Sequence, residues 1–201
     1  IMTLNIKIYD EQEILSSVGK ANRVLEAFSP EHFKLTGYPL AITAEDGLRR
    51  YVDVMHELRH IKDYEEILEG FTSDEFALFK DVSESVLKFT EAKFGERIIP
   101  RGALVRAMIT YRHIKFLCDP KETTIFELGP GSGYLGTLLT LGGYRYGAMD
   151  ITQPFYVYQS QLWDHFFGDQ LIEVVTDDRQ VSDFSEIPEG GLLHVPWWKY
   201  A

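Results

Sequence analysis

The chain predicts an α/β fold, with a parallel sheet over residues 121–201 and a helical region over residues 1–120. Three observations carry that expectation. Short apolar, β-rich runs at 124–126, 146–149, 171–176 and 192–195 alternate with helical stretches, and strands separated by helices pair in parallel through crossovers. Four glycines, Gly129, Gly131, Gly133 and Gly136, stand where the first run must turn into a helix. The first 120 residues show mainly the 3.6-residue period.

In order, residues 1–9 alternate Leu4, Ile6 and Ile8 with Asn5, Lys7 and Tyr9, which predicts a short strand or extended arm. Asp10 then caps a helix over 11–28, carried by Ile14, Val18, Ala21, Leu25 and Phe28 and stopped by Ser29-Pro30. Gly37-Tyr38-Pro39 is a turn. Thr43 with Asp46 reads as a capping box opening a helix to residue 62, with Leu48, Tyr51, Met55 and Leu58 on one face. Thr72 with Glu75 opens the next helix, which Gly95 ends. Pro100 suits the first turn of a helix over 101–117, and Asp119-Pro120 breaks the chain before the first strand. A helix over 135–141 follows the glycines. Another, over 155–167, ends at Gly168.

Composition narrows the partners. The net charge is −11, with 4 basic and 11 acidic side chains over residues 121–201, so no basic stripe exists to meet a nucleic-acid backbone. The single cysteine, Cys118, excludes a disulfide framework and a cysteine-based zinc site, and its apolar neighbours suggest a buried thiol. No apolar run nears the length of a membrane span and no signal-peptide pattern opens the chain, so a reducing cytoplasm is the expected setting.

The chemistry concentrates at 123–150. Strand, glycine turn, helix, strand and acid make the first half of a nucleotide-binding βαβ unit, so the sheet is expected to be Rossmann-like. The glycines let backbone N–H groups approach a ligand at the positive end of a helix dipole. Asp150, 21 positions after Gly129 at the tip of the second strand, is placed to hold a ribose hydroxyl pair. Gly131-Ser132-Gly133-Tyr134-Leu135-Gly136 spells G-x-G-x-x-G, a weak dinucleotide signal. Two details oppose NAD: Asp150 falls only 14 residues past Gly136, and the acid Glu127 precedes the first glycine.

Other candidates stand nearby. Asp177, or equally Asp178, ends the third strand at the same rim. His194, with Trp197 and Trp198 beyond it, is either a general base beside an aromatic wall or a satisfied strand histidine. Arg106, Tyr111 and Arg112 lie on the helix before the first strand, where an arginine can pair with a ligand carboxylate or face solvent. A rival motif, His56-Glu57-Leu58-Arg59-His60, matches H-E-x-x-H, in which His56 and His60 would share a zinc ion and Glu57 polarise its water. Arg59 inside that motif repels a metal, and no third ligand is evident.

Phe126-Glu127-Leu128-Gly129-Pro130-Gly131-Ser132-Gly133 resembles the first motif of class I S-adenosylmethionine (SAM) methyltransferases. With Met149-Asp150-Ile151 and Tyr156-Val157-Tyr158-Gln159-Ser160-Gln161-Leu162, the stretch 97–198 resembles the putative sugar O-methyltransferase family of bacteria. The resemblance implies a partial class I methyltransferase core, the first four strands of a sheet that normally has about seven. It implies SAM as cofactor, with Glu127, Gly129, Gly131 and Gly133 at the methionine end. Asp150 and Ile151 would sit at the ribose, Asp177 at the adenine, and Arg106 at the methionine carboxylate. Methyl would pass to a hydroxyl of a small molecule, a sugar by this likeness, with His194 as base. His194 and Val195 replace the first two residues of the Asn/Asp-Pro-Pro-Tyr motif of amino methyltransferases, which argues against N-methylation. A half-sheet leaves its edge to the helical region or to a second copy, and a non-catalytic binding or assembly module remains the other alternative.

Overall fold

The computed structural model describes residues 3–16, 42, 44–56, 70–177, 181, 184–185 and 187–199. Among them stand the helices α1 (Ile6–Leu15), α2 (Glu45–Met55), α3 (Ser73–Phe94), α4 (Arg101–Leu117), α5 (Tyr134–Leu141) and α6 (Gln153–Phe167). The strands are β1 (Thr124–Leu128), β2 (Arg145–Asp150), β3 (Leu171–Glu173) and β4 (Leu192–Pro196). All four are parallel, in the order β1-β2-β4-β3. The molecule is a Rossmann-like α/β sheet with helices leading into it.

Local rules explain most of the elements. Thr72 and Glu75 form a complete capping box on α3, and Gly95 closes it with a left-handed φ of 74°. Residues 1–9 correct the expectation of a strand. Asn5 caps α1 by accepting from the Ile8 amide at 3.0 Å, and Ile6 and Tyr9, which the alternation puts on opposite faces, share one buried helical face. Asp10 therefore lies inside α1, which ends at Leu15; the rest of the expected helix falls outside the described residues. The helix α2 begins after Ala44 and ends at Met55, while Thr43 and residues 57–62 lie outside the described set. Strand β3 stops at Glu173, shorter than the run to residue 176, because the Asp177 amide turns back onto the Val174 carbonyl.

Strand order is where the architecture departs from a doubly wound sheet. In that arrangement the fourth strand flanks the first on the side away from the second. Here β4 lies against β2, with Ala148 opposite His194, and β3 lies outside it. One face of the sheet carries the helices: Tyr146, Ala148 and Leu192 join Tyr134, Leu138, Tyr156 and Trp163 in the main core. The other face, with Leu193 and Val195, is covered among the described residues by Val174, Val181, Phe184 and Ile187. The helical region shares the main core: Tyr9, Leu48, Val52, Val86, Phe89, Leu104 and Met108 pack into it. That packing seats α2 and α4 beside the carboxyl end of β1.

Candidate functional site

The glycine turn is built by backbone conformation. Gly129, Gly131 and Gly133 have φ of 72°, 59° and 75°, in the left-handed region that costs other residues about 1–2 kcal/mol each. Three alternate positive φ values explain three alternate glycines. Behind the turn, the Gly133 carbonyl accepts from Trp163 Nε1 and from Thr137 Oγ1, both at 3.1 Å. Gln159 Nε2 donates to the Gly131 carbonyl at 2.7 Å. A Cβ at Gly133 would meet Trp163 at 3.1 Å, whereas one at Gly129 or Gly131 would meet nothing within 4 Å. The turn is pinned at its back and open at its front.

The open side faces a cavity of about 420 Å³, within the usual range of small-molecule sites. Pro130, Gly131 and Ser132 form one wall, and Glu127 projects from the end of β1. Val54 and Met55 of α2, Leu135 of α5 and Phe155 of α6 supply apolar surface. Helix α4 contributes Ala103, Ala107 and Thr110 at helical spacing, so a row of short side chains leaves the space empty, and Arg106 completes it. Glu127 is half-buried, and its Oε2 accepts from the Tyr146 hydroxyl at 2.5 Å. Burial pushes its carboxyl above the ordinary range; the Tyr146 bond opposes this and the Asp150 charge adds to it. Arg106 makes no ion pair among the described residues. One cavity thus presents an acid and a cation between apolar walls; the Gly129 and Gly133 amides are bonded to the Met149 and Pro130 carbonyls, and the Gly131 amide to Asp150.

The remaining candidates divide. Arg112 does not reach this cavity: its Nη2 bonds Glu75 Oε2 at 2.7 Å, and it also holds the Gly70 carbonyl, tying α4 to the start of α3. Asp150 is 3% exposed. Its Oδ1 accepts from the Thr152 amide at 2.8 Å and its Oδ2 from Gln159 at 2.9 Å, so it braces the turn from beneath. Burial raises its carboxyl, against the opposing bonds from Thr152, Gln159 and the Gly131 amide and the His194 charge. Ile151, next in sequence, is 54% exposed at the rim. Asp177 follows β3, so β4 stands between it and β2, and the rim directly beside β2 is made by Pro196 and Trp197. Asp178 lies outside the described residues.

His194 is fully buried and does not border the cavity. Nδ1 is 3.0 Å from Glu173, Nε2 is 3.2 Å from Gln159, and the ring stacks on Tyr156 at 3.6 Å. His56 caps the end of α2, where its ring stacks on Tyr134 and its Nε2 bonds the Tyr134 hydroxyl; Glu57 and His60 lie outside the described residues. No cluster of three metal-ligating side chains occurs among the described residues. Sequence reasoning passed over Tyr146, Gln159 and Glu173; polar Gln159 and Ser160 within the apolar face of α6 were the available signal.

Comparisons with protein-family models, with curated proteins and with solved structures give no match. What the structure defines is a Rossmann-like α/β sheet with a cavity at its glycine turn. Among the described residues, no helix is long and apolar enough to cross a membrane.

Proposed function

We propose that the chain is a SAM-dependent methyltransferase acting on a hydroxyl of a small molecule, with a sugar as the acceptor class. The observation that carries this reading is the cavity in which Glu127 and Arg106 face an open glycine turn. An amino-acid zwitterion needs an acid, a cation and a spacing of apolar surface, and this cavity has all three. Glu127, whose carboxyl is raised by burial, gains most from an incoming ammonium group. Arg106 takes the carboxylate as a charge-assisted contact. The glycine amides at 129, 131 and 133 already bond Met149, Asp150 and Pro130, so the turn contributes shape and close approach, and Glu127 and Arg106 carry the polar recognition.

SAM, when bound, would supply a sulfonium methyl: the acceptor oxygen forms the new C–O bond, the C–S pair stays on sulfur as the departing thioether, and the hydroxyl proton passes to solvent. The chain's own share is positioning. Met55, Leu135 and Phe155 exclude water beside the turn, and exposed Ile151 offers a flat apolar surface at the rim. Asp150 reaches a ribose only by exchanging one of its contacts to Thr152 or Gln159. His194, enclosed by Tyr156, Trp163, Glu173 and Gln159, is left out of proton removal in this reading.

Titration calorimetry with SAM tests the reading. Wild type is expected to bind one equivalent, and Ala107→Phe, which fills the cavity from α4, to bind at least about tenfold more weakly while melting within a few degrees of wild type. Equal affinity in both proteins, or no binding in either, removes the reading. Binding without transfer to any hydroxyl acceptor indicates a sensing or assembly module instead.

A further inference from the structure

Behind the glycine turn runs a buried polar chain that methyl transfer does not use. Glu173 receives the Tyr156 hydroxyl at 2.6 Å, the Ser160 hydroxyl at 2.5 Å, the Val175 amide at 3.1 Å and His194 Nδ1 at 3.0 Å. From His194 Nε2 the chain passes to Gln159 Oε1 at 3.2 Å. Gln159 Nε2 then meets the Gly131 carbonyl at 2.7 Å and Asp150 Oδ2 at 2.9 Å. Residues of three strands, β2, β3 and β4, and the turn are linked through one side-chain amide.

Donor and acceptor capacity fixes the direction of the bonds that run through Gln159. A backbone carbonyl only accepts, so the Gln159 atom against Gly131 is the amide nitrogen. Its oxygen therefore faces His194, and Nε2 must carry a hydrogen. Nδ1 faces Glu173; although burial pushes that carboxyl up, the His194 charge and the bonds from His194, Ser160 and Tyr156 hold it below the usual range. Nε2–H thus donates to the Gln159 oxygen, and Nδ1 lies against the Glu173 carboxyl. The ring has no freedom to do otherwise: Tyr156 stacks on it, and Trp163 closes its edge at 4.7 Å.

We propose that Gln159 is a positioning residue for the ligand turn, with His194 as the group that aims it: Nε2–H of the ring fixes the amide oxygen, and the amide holds Gly131 and Asp150 together. The ligand arm of the test rests on the SAM reading; the spectroscopic arm does not. Gln159→Glu keeps the shape but sets a carboxylate against the Gly131 carbonyl and Asp150. The titratable groups facing the chain are Glu127 on β1, Asp150 and Tyr146 on β2, Glu173 on β3, His194 on β4, Tyr156 on α6 and Tyr9 on α1. Because several respond to pH, the variant is read as a ratio to wild type.

The experiment measures S-adenosylhomocysteine affinity of wild type, Gln159→Glu and Gln159→Met at pH 8 and pH 5.5, with 15N spectra of the histidine rings and the Gly131 amide. Gln159→Glu is expected to bind at least about tenfold more weakly than wild type at pH 8, and to recover part of that at pH 5.5, when its protonated carboxyl regains one of the amide's two donated bonds. Gln159→Met, which never donates, is expected to stay weak at both. In wild type His194 Nε2 carries hydrogen, and the Gly131 amide, which also bonds Asp150, moves further with pH in Gln159→Glu than in wild type. Equal, pH-independent losses in both variants, wild-type affinity in either, or a His194 Nε2 without hydrogen overturns the proposal. If wild type binds no S-adenosylhomocysteine, the SAM reading fails separately and the ring and Gly131 signals decide this one.

Discussion

Replacing Glu127 by glutamine separates what the residue does for folding from what it does for a ligand. The glutamine oxygen keeps the Tyr146 bond of 2.5 Å, so the geometry at the end of β1 survives and only the charge is lost. Burial raises the Glu127 carboxyl, and the Asp150 charge raises it further. A carboxyl raised in the folded state contributes stability below its unfolded value and loses that contribution as pH climbs through the folded value. At pH 7 the ionised group is therefore a liability to the empty protein. Glu127→Gln is expected to melt above wild type at pH 7, with the gap closing toward pH 4. Its binding should move the opposite way. A hydrogen bond to a charged group is worth about 1.5–3 kcal/mol, so loss of the ammonium partner weakens SAM binding roughly ten- to a hundredfold. Melting curves across pH, paired with calorimetry, read both effects. A variant that binds SAM as well as wild type, or melts lower at pH 7, refutes the reasoning.

Three further outcomes follow from the packing. A Cβ at Gly136 would lie 2.4 Å from Tyr146 Cε1 and 3.0 Å from Trp163, so Gly136→Ala is expected to cost about 1–3 kcal/mol in a urea melt. Gly131→Ala meets open space, so its penalty is the backbone term of about 1–2 kcal/mol, and its larger effect should be on ligand affinity by calorimetry. Arg112→Met strips the partner from buried Glu75, whose carboxyl Arg112 and the Thr72 bonds hold low against burial. With Arg112 itself partly exposed, about 1–3 kcal/mol is expected at pH 7. Because a lowered carboxyl stabilises above its unfolded value and loses that as pH falls through the folded one, the deficit in this variant should shrink in acid.

What the residues reveal by themselves is what short-range chemistry decides. The Thr72–Glu75 box and Gly95 delimit α3 because both caps are local bonds. The turn at Gly129–Gly133 is legible because only glycine takes three alternate positive φ values. Residues 1–9 mislead because the alternation of Leu4, Ile6 and Ile8 masks the i, i+3 pair Ile6 and Tyr9, and the Asn5 cap decides for the helix. The place of β4 is a long-range outcome: pairing Ala148 with His194 across 46 positions leaves no local trace. For the same reason His194 reads equally as a base or a core residue until Glu173 and Gln159 are seen against it. Arg106 and Arg112 look alike in sequence, and only the fold sends one to the cavity and the other to Glu75.

The central claim is that the open face of the glycine turn receives the methionine end of SAM. A second cavity of about 420 Å³, bordered by Lys115, Cys118, Pro120 and Tyr144 at the opposite end of β1, gives the test an internal control. Amide shifts recorded while S-adenosylhomocysteine is titrated address it most directly. The expected result is saturable change centred on Glu127, Gly129, Gly131 and Ile151. No change there, or change confined to Lys115, Cys118 and Tyr144, contradicts it.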